Sequence, residues 1–105
     1  MRKNIIREKL KSNDCTIGTH IHSTWPGVLE IIGETGVFDY VEFLGQYSAY
    51  DLAWLDTFAR VTELYNLSSM IKVDQAVEEF LAQRSIGSGI QSILFTDVRS
   101  VEDVN

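Results

Sequence analysis

The sequence predicts an α/β fold built on a parallel sheet, and three observations carry that expectation. Helical and extended segments alternate: one helix, then strand and helix three times over, then a fourth strand. The strand ends fall near His22, Gly45, Lys72 and Asp97, about 25 residues apart, which is the rhythm of right-handed crossovers between parallel neighbours. No glycine-rich phosphate loop follows the first strand, which counts against a nucleotide-binding doubly wound domain. Two architectures satisfy the pattern: an open doubly wound sheet, or part of a (β/α)8 barrel.

The elements follow in chain order. "RKNIIREKLK" sets Ile5, Ile6 and Leu10 on one helical stripe with charges opposite. "SNDC" ends that helix, because Ser, Asn and Asp favour turns. "CTIGTHIH" is a short strand whose period-two alternation turns His20 and His22 to the same side. Pro26 suits the first turn of a helix and Thr24 is its candidate cap. "PGVLEIIGETG" then places Val28, Ile31 and Ile32 on one face and stops at Gly36, a C′ position. "VFDYVEFLG" is a second strand, rich in β-branched and aromatic residues.

Asp51 is placed to cap the longest helix, "DLAWLDTFARVTELYN", in which Leu52, Leu55, Phe58, Ala59, Thr62 and Tyr65 share a face. Asn66 ends it. "SSMIKVD" is the third strand. "QAVEEFLAQRSIGSG" is a helix with Val77, Phe80 and Leu81 inward, closed by Gly87 and Gly89. "IQSILFTDV" is a fourth strand, apolar enough to be buried on both faces as parallel strands are. "RSVEDVN" opens a further helix, since Ser100 and Asp103 have the spacing of a capping box.

A length of 105 residues supports one modest domain with one core. A hydrophobic share of 45% with 23% charged residues is that of a soluble globular chain. The net charge of -6 opposes a nucleic-acid footprint, which needs clustered Lys and Arg. Arg2, Lys3, Arg7, Lys9 and Lys11 do bunch at the start, but Glu8 interrupts them, so they form a solvated helix face. The one cysteine, Cys15, permits no intrachain disulfide and is expected as a small buried filler at a strand start. A reducing, cytoplasmic setting follows. No signal-peptide pattern is present, and no apolar run approaches the roughly 18 residues of a membrane helix.

At "FDYVEFLGQYSAYDL" and its surroundings the chain resembles the HpcH/HpaI aldolase family, which shares a superfamily with citrate lyase β subunits. "NIIREKLKSND" followed by "TIGT" is similar to that family's first helix and strand. "PGVLEIIGETGVFDYV" is similar to its P-x-x-x-E-x-x-x-x-x-G-x-D segment. "IKVDQ" stands where the family has an arginine-bearing third strand, and "LAQRSIGSGIQSILFTDVRSVEDV" resembles its next helix and strand. The resemblance implies that residues 1–105 are a partial (β/α)8 aldolase-like domain. About four of the eight strands of a TIM barrel are then present, and the domain is cut at the start of the helix after the fourth.

The family cleaves or forms carbon–carbon bonds next to a 2-oxo acid. A divalent metal (magnesium, manganese or cobalt) stabilises a pyruvate enolate, and the partners are a small-molecule keto acid and an aldehyde. Such groups gather at the C-terminal ends of barrel strands. Where the family reads D-x-E-H after its second strand, this chain reads Leu44-Gly45-Gln46-Tyr47. Gln46 stands at the acidic position and Tyr47 at the position of the histidine base. A phenol of ordinary pKa near 10 is a poor base, although it can donate a hydrogen bond to an oxyanion. Lys72 replaces the third-strand arginine and can meet a carboxylate only as a point charge. The family's two carboxylate ligands lie beyond residue 105, so the resemblance assigns no metal ligand within this chain. It implies Lys72 and Gln46 as substrate-binding residues and Tyr47 as a catalytic one; the place of the histidines at the mouth of the first strand adds His20 as substrate-binding and His22 as catalytic. An altered activity, or none, follows equally from the departures.

Two further readings stand beside the aldolase. Unpaired sheet edges predict a non-catalytic half-barrel that associates with another copy or with a second chain, and a homo-oligomer is expected. The H-x-H of His20 and His22 also opens metal-dependent hydrolase sites, where paired imidazoles chelate a metal that activates water. Of the remaining polar residues, Glu42 is expected in an ion pair, with Lys72 as one candidate partner, and Asp97 is expected to pair with Arg99. Tyr50 joins Gln46 and Tyr47 in a loop that is either pocket lining or surface. Trp25 and Trp54 are expected in packing, Trp25 at a subunit contact.

Overall fold

A computed structural model describes residues 2–105. Four strands, β1 (Gly18–Ile21), β2 (Tyr40–Phe43), β3 (Ser68–Val73) and β4 (Ser92–Phe95), form one parallel sheet in the order β1-β2-β3-β4. Helix α1 (Ile5–Lys11) precedes the sheet. The crossovers carry α2 (Pro26–Glu34), α3 (Leu52–Leu64) and α4 (Glu78–Ser88). No helix is long and apolar enough to cross a membrane among the described residues.

The pairing register sorts the side chains into two faces. Gly18 lies opposite Tyr40, Tyr40 opposite Ser68, and Met70 opposite Ser92. Ile21, Val41, Phe43, Ile71 and Val73 therefore share one face, and there they are buried in a single core with Leu29 of α2, Leu55 and Phe58 of α3, and Leu81 of α4. Each such side chain contributes roughly 1.5–3 kcal/mol by leaving water. Phe43 anchors the cluster, with its ring edge-on to Tyr50 and Trp54 at centroid distances of 5.1 and 5.6 Å. The opposite face carries His20, Glu42, Met70, Lys72 and Leu94, none of them fully buried.

Local chemistry sets most boundaries. Asn4 caps α1 by accepting the Arg7 N–H at 3.1 Å, and Asp51 caps α3 by accepting the Trp54 N–H at 3.0 Å. Gly36 follows the C-cap of α2 with φ +64°, and Asn66 follows that of α3 with φ +56°. The cap of α2 differs from expectation. Trp25, not Thr24, holds that position without a side-chain cap bond. Its N–H is satisfied by Ser23 Oγ at 3.0 Å, and its ring folds over Gly27, where a Cβ would collide with it.

The other differences have definite causes. A 3-10 turn at Gln75–Val77 precedes α4 and changes the phase of its stripe. Leu81 and Ser85 are consequently buried, while Val77 and Phe80 stay exposed. Strand β4 is not buried on both faces: it is a sheet edge, and Leu94 and Phe95 are 39% and 49% exposed. Cys15 is exposed rather than a buried filler, because it precedes the strand instead of entering it. Residues 99–104 make a turn rather than a helix, in which the Asp103 carboxylate accepts the N–H groups of Arg99 and Ser100.

Helix α1 closes the N-terminal end of the sheet. Ser68 Oγ accepts the Ile5 N–H at 2.9 Å, Arg2 donates to the Leu67 carbonyl at 2.8 Å, and Gln91 reaches the Lys3 carbonyl at 3.1 Å. Asp39 joins these parts, accepting the Ile17 N–H at 2.9 Å and pairing with Lys9 at 3.0 Å. The Ile17 N–H above all, with Lys9 beside it, holds the Asp39 carboxyl below its ordinary value. A carboxyl lowered in the folded state stabilises the fold above its unfolded value of about 4 and loses that contribution as pH falls through the folded value. In urea titrations, Asp39→Asn is expected to lower stability near neutrality by on the order of 1.5 kcal/mol. It should also flatten the acid limb of the wild-type stability curve below about pH 4.

Candidate active site

The C-terminal ends of the strands collect most of the polar side chains on the uncovered face. The backbone arranges this first. Leu44 N–H donates to the Ile21 carbonyl at 3.0 Å, and Gln46 N–H donates to the Lys72 carbonyl at 3.1 Å. The loop after β2 thus continues the sheet and sets Gln46 beside Lys72. Gly45 allows this close approach. A Cβ there would lie 2.8 Å from the Lys72 carbonyl oxygen and 3.1 Å from the Tyr50 hydroxyl.

Lys72 makes no ion pair with Glu42 or Asp74; the pair Lys9–Asp39 is the one salt bridge among the described residues. Its ammonium instead lies 4.9 Å from the centroid of the Tyr47 ring, an arrangement that steadies the cation through the ring quadrupole. The charge is not neutralised and stays available to an anion. Glu42 likewise lacks the expected ion pair and lies opposite His20 across β1 and β2.

Gln46 is fixed by a residue that the sequence did not single out for it. Its Nε2 donates to Asp97 Oδ2 at 2.8 Å. The same carboxylate oxygen lies 3.3 Å from Thr96 Oγ1, whose hydroxyl also faces the Val73 carbonyl at 3.0 Å, and Gln75 Nε2 reaches the Asp97 carbonyl at 3.2 Å. Asp97 takes φ +58°, a left-handed conformation that Asp tolerates better than most residues. The expected Asp97–Arg99 pair is absent, because the Asp97 carboxylate is committed to Gln46 and Thr96. With its amino group held, Gln46 keeps Oε1 as a buried acceptor without a partner.

His20 and His22 do share one side, as strand alternation requires, with ring centroids 6.3 Å apart and planes at 85°. Both are exposed; His20 stands on β1 and His22 directly follows it, at the far side of β2 from Lys72. The structure therefore brings Gln46, Tyr47 and Lys72 together and keeps the histidines as a separate pair on the same rim. Among the described residues no group of three or more His, Cys, Asp or Glu side chains is placed to hold a metal ion. Neither the aldolase metal nor a hydrolase metal on His20 and His22 finds its ligand set here.

A cleft of about 550 Å³ lies elsewhere, between the first turns of α2 and α3, lined by Thr24, Pro26, Tyr50, Asp51, Trp54 and Thr57. None of the five predicted site residues borders it. Burial, with Asp74 nearby, raises the Tyr50 phenol above its ordinary value and keeps it neutral. Trp54 is packed as expected, whereas Trp25 is largely exposed.

No family model and no curated protein matches the sequence. Solved structures do match the fold. An HpcH/HpaI aldolase from Desulfitobacterium hafniense DCB-2 is 22% identical with a TM-score of 0.79, covering 97% of this chain and 39% of its own. The citrate synthase SbnG is 19% identical with a TM-score of 0.84, covering 94% of this chain and 40% of its own. The chain thus spans about two fifths of the length of the solved structures it matches. Identity at this level carries the fold alone. These neighbours are TIM barrels, so the four β/α units here are those of a TIM barrel rather than of an open doubly wound sheet.

Gly45→Ala probes the geometry of the site directly. The added methyl presses on the β3 backbone, and such overpacking costs about 1–3 kcal/mol. A lower melting temperature is expected, together with altered amide resonances at Gln46 and Lys72. An unperturbed spectrum would mean that β2 and β3 do not approach as described.

Proposed function

We propose that these strand ends form the 2-oxo-acid half of an aldolase-like carbon–carbon lyase site. The observation that supports this best is Lys72, a cation at the barrel mouth that is stacked on Tyr47 and neutralised by no carboxylate. When a carbon–carbon bond next to a 2-oxo acid breaks, negative charge builds on the carbonyl oxygen and the substrate carboxylate must be held still. Lys72 holds that carboxylate as a point charge. The Tyr47 hydroxyl donates to the developing oxyanion.

Gln46 has a narrower role than the resemblance implied. Its amino group is engaged with Asp97, so it offers an acceptor and suits a substrate hydroxyl rather than the carbonyl. His22, with His20 beside it, supplies imidazole for moving a proton on the β1 side of the rim. The substrates are a pyruvate-type keto acid and an aldehyde. The divalent metal implied by the resemblance has no ligand set among the described residues, and no step is assigned to it. A second reading, a non-catalytic assembly unit, is favoured by the uncovered sheet face and the exposed edge strand β4.

Titration of the ¹⁵N-labelled chain with pyruvate tests the assignment. Shifts are expected at Gln46, Tyr47 and Lys72, and Lys72→Ala should weaken binding at least tenfold, or about 1.4 kcal/mol. Cleavage of a 4-hydroxy-2-oxo acid should release pyruvate, with Tyr47→Phe slower by about a hundredfold. Pyruvate affinity unchanged by Lys72→Ala would remove the reading.

A further inference from the structure

We propose that Asp97 is a positioning residue, acting through Gln46 to make this mouth select a 2-oxo acid that carries a hydroxyl beside its carbonyl over one that does not. This role rests on the 2-oxo-acid reading of the mouth and adds what discriminates between such acids.

A carboxylate has acceptor atoms only, whereas the primary amide of Gln has a donor end and an acceptor end of nearly the same shape. Beside a hydroxyl or another amide, a Gln side chain satisfies itself in either of two orientations. Beside a carboxylate it has one, because turning the amide over would set two acceptor oxygens against each other. Gln46 Nε2 donates to Asp97 Oδ2 at 2.8 Å, the distance of a charge-assisted bond. The nitrogen is therefore committed to Asp97, and Gln46 Oε1 is the end left without a partner.

Both ends of this pair are held by the backbone. Gln46 N–H donates to the Lys72 carbonyl at 3.1 Å, so its side chain starts from a defined point beside Lys72. Thr96 Oγ1 donates to the Val73 carbonyl at 3.0 Å, which roots the end of β4 on β3. Asp97 follows with φ +58°, and Gln75 Nε2 donates to its carbonyl at 3.2 Å. Strand β3 stands between β2 and β4. The Gln46–Asp97 bond thus joins the two flanking strand ends across the strand that carries Lys72. An acid whose carboxylate rests on Lys72 meets a neighbouring amide that presents oxygen. A hydroxyl satisfies that oxygen and a methyl group does not, so the unpaired acceptor counts against the methyl compound.

Dissociation constants for pyruvate and 3-hydroxypyruvate, measured from amide shifts of the ¹⁵N-labelled chain, test the role. The hydroxylated acid is expected to bind the wild-type chain about tenfold more tightly, the worth of one hydrogen bond to an otherwise unpaired acceptor. Asp97→Asn keeps a residue that tolerates positive φ, but it offers Gln46 both a donor and an acceptor and lets the amide turn over. The preference should then fall to about threefold or less. Gln46→Met should abolish it, and adding Asp97→Asn to that variant should change nothing further, since a positioning residue acts only through its partner. A ligand-free reading comes from the Gln46 side-chain amide, whose two N–H resonances should move in Asp97→Asn while the β2 and β3 backbone resonances stay in place. Equal affinity for the two acids, a preference that survives Asp97→Asn, or the same effect of Asp97→Asn with and without Gln46 would each overturn the inference. Failure of the underlying reading looks different: binding of both acids would then be indifferent to Lys72→Ala. If neither acid binds, the Gln46 amide resonances still decide, and unmoved ones count against Asp97.

Discussion

All three crossover helices lie on one side of a parallel sheet, and this one-sidedness governs the rest of the molecule. It explains the alternation along every strand. Ile21, Val41, Phe43, Ile71 and Val73 point under the helices and are buried, while the residues between them can be polar. Parallel sheets ordinarily hide both faces, one behind each layer of helices. A barrel reaches the same end differently, by turning the bare face inward. The bare face here carries His20, Glu42 and Lys72, the imidazole, carboxylate and ammonium side chains of the sheet.

The two ends of the sheet do different work. At the N-terminal end, α1 is tied down by Arg2, Ser68, Gln91 and the Lys9–Asp39 pair, although Arg2 Nη2 and Gln91 Oε1 are left without partners. At the C-terminal end the polar groups are satisfied only in part. Lys72 rests on an aromatic ring instead of a carboxylate, and Gln46 spends its amino group on Asp97 while its acceptor is left over. A buried acceptor without a donor and a cation without an anion are unfavourable in the empty state and become favourable once a ligand supplies both. In barrels the N-terminal ends of the strands characteristically carry stability and the C-terminal ends carry function.

What the sequence made legible was whatever depends on local geometry. Strand alternation was enough to put His20 and His22 on one side, and the Asp51 cap, the stop at Gly36 and the buried face of α3 from Leu55 to Thr62 followed from short-range pattern, whereas Leu52 at the start of that face is exposed. The failures share a different cause. Val77 and Phe80 were assigned inward on an unbroken helical period, which the 3-10 turn at Gln75–Val77 interrupts. Strand β4 has a core-like composition, but exposure depends on who stands beside it, and composition does not record that. Asp97 was matched to Arg99 because the two are close in sequence; its partner is Gln46, on a different strand end. Two polar residues at equivalent ends of β2 and β4 were the available signal, and reading it required the sheet order first.

The residues at the mouth also constrain which chemistry they can share. The Tyr47 hydroxyl can donate a hydrogen bond to an oxyanion. Lys72 can anchor a carboxylate without fixing its plane. Gln46 can accept and, with Nε2 committed, has little left to donate. The imidazoles of His20 and His22, proposed above to move the proton, stand on β1 and just after it, separated from Lys72 by β2. They flank the Gln46–Lys72 group on its far side from β4. A keto acid held by Lys72 would therefore meet its anchor and its proposed proton carrier from opposite sides of β2, with Gln46 in the loop between them.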